Sequence, residues 1–187
     1  MRSTFTLLAS YNEWMNTRVY AAAALLPHEE LIANRGAFFG SILGTLNHLV
    51  VGDRIWLRRF ASHPSKHAAL KPLDTLPLPK SLDEILFIDL AALVEHRRML
   101  DEVIKNWTES LNDADLSHVL HYTTMKGVVG MKRFSDLLLH FFNHQTHHRG
   151  QVSTLLHQAG KDVGVTDLLL LIPNAERVMT IHSYRHV

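Results

Sequence analysis

Apolar positions recur at helical spacing in four stretches of this chain, separated by prolines, glycines and polar runs. The first covers residues 4–26, where Phe5, Leu8, Met15 and Val19 share one stripe and Pro27 marks the end. The second covers residues 40–61. It is apolar almost all round from 42 to 51, the pattern of a helix buried on most sides. The third opens after Pro77 and Pro79, with Ser81 as N-cap and Glu84 spaced to complete a capping box. Its stripe runs through Leu82, Ile85, Leu86, Leu90, Leu93, Leu100, Ile104 and Trp107. The fourth covers residues 132–159, and Gly160 is its predicted C-cap.

Four amphipathic helices of this length predict an all-α fold, a four-helix bundle closed by its apolar stripes. The connection over residues 108–131 is long for a bundle. Within it, residues 122–130 place β-forming side chains around Lys126-Gly127, which predicts a short hairpin. Residues 165–172 are apolar and stop at Pro173, predicting a small C-terminal helix packed on the bundle. With 187 residues and no internal repeat, the chain reads as a single domain over 1–187.

Composition narrows the chemistry. Lys+Arg at 19 against Asp+Glu at 18 gives no basic surface for nucleic acid or acidic membrane. Arg58-Arg59 and Arg97-Arg98 read as solvated helix faces. Cysteine is absent, which excludes disulfides, Cys-zinc sites, iron–sulfur clusters and a protein thiol nucleophile. Any thiol chemistry must use a thiol from outside. No signal-like leader and no apolar run of about 18 residues is present, so a cytoplasmic protein is expected.

Histidine is the anomaly, at 14 residues. The tail at 181–187, with His182 and His186, is not a tag; the informative group is His140, His144, His147 and His148. Three pairs there have ligand-compatible spacing: His140/His144, His144/His147 and His144/His148. At about 100° per residue, His148 falls within the arc of Phe134, Leu137, Leu138, Phe141, Val152, Leu155 and Leu156. His144 falls at its edge, and His140 and His147 turn towards the flank. His144/His148 is therefore the pair expected to face the interior and bind metal. The alternative, a core histidine satisfied by a backbone carbonyl, stands beside it. His48, on the nearly all-apolar second helix, is the remaining interior candidate. His28, His63, His67, His96, His118, His121 and His157 lie near helix ends, in loops or among charges and are set aside.

Four motifs together resemble the DinB-like family of damage-inducible, bacillithiol-transferase-type metalloenzymes. Tyr11-Asn12-Glu13-Trp14-Met15-Asn16 resembles the family's first-helix pattern, and Leu46-Asn47-His48-Leu49 with Asp53-Arg54-Ile55-Trp56 its second. The most specific signature is His-x-x-x-His-Arg-Gly-Gln, met here as His144 to Gln151. Val165-Thr166-Asp167-Leu168-Leu169 resembles the C-terminal Asp-Leu segment. The resemblance implies an up-down-down-up bundle, frequently a homodimer, with His48, His144 and His148 as the metal ligands. A DNA polymerase shares the family's label, but this chain is far too short and lacks its acidic motifs.

Three imidazoles leave one position of a tetrahedral ion open, as in catalytic zinc sites. The resemblance points to transfer of a low-molecular-weight thiol, as co-substrate, onto a small electrophilic substrate. Metal-dependent hydrolysis and a non-catalytic metal-binding stress protein are the alternatives. Zinc, nickel, iron or manganese all suit imidazole. Asp53 and Gln151 are candidates to orient a ligand, with a surface pair to Arg54 or Arg58 the competing reading for Asp53. Arg149 would bind a substrate carboxylate or tie the fourth helix to a neighbour. Trp14 and Trp56 read as core, with a place in a pocket wall as the alternative, while Tyr11, Trp14 and Met15 offer a surface for dimerisation.

Overall fold

The computed structural model describes residues 2–174, so the tail with His182 and His186 lies outside the described residues. Four long helices carry the fold: α1 (Arg2–Ala23), α3 (Ile42–Phe60), α4 (Leu90–Ser110) and α6 (Phe134–Gln158). Short helices α2 (His28–Ile32) and α5 (Asp113–Ser117) lie in the connections. Strands β1 (Val119–Thr123) and β2 (Val129–Arg133) pair antiparallel, Val119 opposite Arg133 and Thr123 opposite Val129. The predicted hairpin is present and extends farther on both sides.

Contacts between helices fix their directions. Glu13 meets Lys105 and Asn16 meets Asp101, so α1 and α4 run antiparallel. Phe5 stacks on Phe142 and Asn12 meets Arg149, so α1 and α6 run parallel. His48 meets His148 and Phe60 meets Phe134, so α3 and α6 are antiparallel. The bundle is therefore up-down-down-up. Its core is aromatic at the α3 C-terminal end, where Phe60, Trp107, Phe134 and Phe141 interlock.

Helix ends follow local chemistry. The Ser41 hydroxyl accepts from Gly44 N–H at 3.0 Å and caps α3. At the end of α6, Gly160 takes a positive φ of 73°. There Gly160 N–H donates to His157 and Lys161 N–H to Leu156, the paired bonds of a Schellman ending.

One expectation is corrected. No helix starts at Ser81: α4 begins at Leu90, with the Asp89 carboxylate accepting from Ala92 N–H at 3.0 Å. The cause is Asn47 on α3, whose side-chain amide donates to the Phe87 carbonyl at 2.9 Å and accepts from Phe87 N–H at 2.9 Å. That clamp satisfies the backbone in a non-helical path, while Ser81 instead donates to Asp83. The predicted small C-terminal helix is present as a 3-10 helix, Leu168–Leu171, against α1, with Leu169 and Leu170 exposed. The strand of chain before it is tied along α1 by Arg18 Nε to the Val163 carbonyl and Tyr11 OH to the Thr166 carbonyl. No helix among the described residues is long and apolar enough to cross a membrane.

Candidate metal centre

α3 contributes His48 near its start, and the middle of α6 contributes His144 and His148. Their antiparallel packing brings the three imidazoles together. His48 Nε2 lies 3.2 Å from His144 Nε2 and 3.1 Å from His148 Nε2. Nitrogens bound at about 2.0–2.1 Å to one tetrahedral ion lie about 3.3–3.4 Å apart, so these separations match a shared cation.

The outer ring nitrogens decide what the inner ones carry. His48 Nδ1 lies 2.7 Å from the Leu82 carbonyl, which can only accept, so Nδ1 holds the proton. His148 Nδ1 likewise donates to Gln151 Oε1 at 2.8 Å. The Gln151 amide nitrogen reaches His147 Nε2 at 3.3 Å, consistent with that orientation. Two bare Nε2 lone pairs thus face each other, a repulsive contact that a cation between them would relieve.

Burial keeps the rings neutral. It lowers the His48 pKa to about 4, with nearby His148 adding to the effect and the Leu82 carbonyl opposing it. Burial first, then the neighbouring histidines, lowers His144 to about 3. His148 is also lowered, chiefly by burial. Neutral imidazoles are the metal-binding form.

The packing around the triad is close. Phe39 stacks on His48 with ring centroids 3.7 Å apart. A Cβ on Gly52 would sit 2.7 Å from His144 Cε1, so only glycine leaves that ring its place. Beside the triad lies a cavity of about 680 Å³, walled by α3, the segment at Ser81-Leu82, α6 and the hairpin. His48 and His144 line it directly.

Beneath the triad, in the bundle interior, sits a buried polar network. Arg97 donates to Asp53 and pairs with Asp101 at 3.0 Å, and Asn12 and Asn16 donate to Asp101 at 3.0 and 2.8 Å. Gln145, adjacent to His144, donates to Asp53. Asp53 is fully buried, and burial raises its pKa to about 6 although Arg97 opposes this. The surface-pair reading for Asp53 is therefore wrong: its arginine comes from another helix. Arg149 is buried and donates to Asn12, tying α6 to α1.

Other expectations divide. Trp56 lines the cavity instead of filling the core, and His140 meets its edge with centroids 5.0 Å apart. Met15 is buried at 3% exposure and belongs to the core, not to an outer face. Sequence reasoning missed Gly52, Leu82, Phe39 and the hairpin wall. Only Gly52 left a signal, as a lone glycine inside a helical pattern.

A second group, set aside at first, also converges: His63, His67 and Asp115. Here Ser65 N–H donates to His63 Nδ1 at 3.1 Å, and the Ser65 hydroxyl donates to Asp115 at 2.5 Å. Asp115 also closes the α5 capping box with Asn112. These bonds tie the loop after α3 to α5.

Residues 1–179 match the DinB family. The chain belongs to that family. Among curated relatives, Protein DinB of Bacillus subtilis (strain 168) is 25% identical over 173 residues, 91% of this chain and 95% of that protein. No solved structure matches the chain. Family membership and the clustered histidines agree on a protein able to hold a metal ion.

Proposed function

We propose that this DinB-family protein is a metal-dependent enzyme that transfers a low-molecular-weight thiol to small electrophiles. His48, His144 and His148 hold one divalent cation through Nε2, and the cavity beside them receives the reactants. The observation that carries the reading is the 3.1 Å approach of two unprotonated Nε2 atoms, His48 and His148, at a cavity edge. When bound, the ion lowers the pKa of a thiol or water in its open position, so that the conjugate base exists at neutral pH.

The chain's own residues do the rest. Leu82 and Gln151 fix two imidazole tautomers, and Phe39 and Gly52 fix ring planes. Ile55, Trp56 and Val128 give the cavity an apolar wall beside the reacting atoms. The protein has no cysteine, so the sulfur must come from a second substrate.

Elemental analysis of untagged protein tests the centre: about one ion per chain is expected, lost in His144→Ala. Turnover of an electrophile with and without added thiol tests the reaction. A rate independent of thiol overturns the transferase reading and leaves hydrolysis at the same ion.

A further inference from the structure

The cavity wall is apolar through Ile55, Trp56, Leu82, Tyr122 and Val128, yet it holds two cations, Arg59 and Lys126. Among the described residues no aspartate or glutamate lines it. The three arginines of α3 differ sharply in their partners. Arg54 donates to the Pro77 carbonyl at 2.5 Å. Arg58 is held by Asp74 at 2.8 Å and by the Leu73 carbonyl at 3.0 Å. Arg59 has no carboxylate or carbonyl acceptor among the described residues. Its guanidinium carbon instead sits over two rings that touch each other, 4.6 Å from the Trp56 centroid and 5.4 Å from that of Tyr122.

That placement is informative. The two rings hold the cation in place without taking up its N–H groups, which leaves those donors for a two-oxygen acceptor. A charge of this kind, half-buried beside an apolar cavity, is costly unless something compensates it. Among the described residues only the faces of Trp56 and Tyr122 compensate it and no acceptor meets its N–H groups, so a ligand is the natural source of one. Lys126 stands exposed on the hairpin at the rim and adds attraction without fixed geometry.

Resting on the cavity's role as substrate site, we infer that it takes an aromatic carboxylate. Arg59 grips the carboxylate through its N–H groups, and the apolar wall of Ile55, Trp56 and Val128 packs on the ring. A volume of about 680 Å³ admits a two-ring molecule with room left for a second reactant at the histidines. Arg59 is thus a specificity-determining residue, distinct from the groups that hold the ion.

Calorimetry on the full chain, stripped of metal with chelator, tests this with 2-naphthoate and its neutral isostere 2-naphthamide. Wild type should prefer the carboxylate by about tenfold, the scale of one charge-assisted contact in a partly solvated site. Arg59→Gln should erase the preference while keeping naphthamide affinity, which also shows that the cavity is intact. Arg59→Lys should retain part of it, and Lys126→Gln should change it less than about threefold, as an exposed charge does. Equal binding of the two probes by wild type, no binding of either, or a preference that survives Arg59→Gln overturns the inference. Because metal is absent throughout, failure of the metal centre shows up only in the elemental analysis, and the two ideas fall separately.

Discussion

Two histidine groups stand at opposite ends of α3, and their difference shows what makes a cluster into a site. At the first, Nδ1 of His48 and of His148 donates outward, to Leu82 and Gln151, and the lone pairs turn inward together. At the second, Nδ1 of His63 accepts from Ser65 N–H, so the remaining nitrogen holds the proton and offers no lone pair. The carboxylate of Asp115 accepts from the Ser65 hydroxyl and the Asn112 N–H, one bond to each oxygen. The first group opens on a cavity; the second fastens a loop. Residue types and proximity are shared, so the partners of the outer nitrogens make the distinction.

The largest effect that could break this comparison is in metal content. His148→Ala should lower bound metal at least tenfold, while His63→Ala should leave it unchanged, both read by elemental analysis after dialysis. Metal lost in His63→Ala would place the ion at the wrong end. A smaller effect tests the tautomer argument. Gln151→Leu removes the acceptor for His148 Nδ1 and should weaken metal binding about 10–100-fold in chelator competition. Ser65→Ala, at the other group, should not move it.

The smallest effect is in pH. Folding holds His48 at about 4 and His144 at about 3, both below their ordinary 6.5. The unfolded chain therefore binds more protons below pH 6.5, and stability is lost as pH falls from about 6.5 towards 4. The thermal midpoint of metal-free protein should drop across that window. His144→Gln should flatten the slope; an unchanged slope would mean that these rings are not held neutral by burial.

Much of the bundle was legible in the chain because amphipathic periodicity is a local property. The stripes of α1, α3 and α6 mark helices that form where expected. His144 and His148 were readable as a pair because four residues on a helix guarantee a shared face. Ser81 and Glu84 misled for the same local reason: their spacing matches a capping box, but Asn47, from a distant helix, captured Phe87 first. Asp53 misled because its sequence neighbours Arg54 and Arg58 look like partners, whereas Arg97 reaches it across the bundle.

Periodicity and side-chain spacing by themselves determined the helices, the bundle class and one half of the metal centre, since each depends on residues a few positions apart. Which face of α3 meets α6, how the Leu82 carbonyl holds the His48 proton on Nδ1, and why Arg59, unlike Arg54 and Arg58, meets no oxygen acceptor among the described residues were decided only by tertiary packing. Those outcomes depend on backbone and side-chain groups some 35 to 100 positions apart competing for the same hydrogen bonds, and no local pattern ranks such competitors.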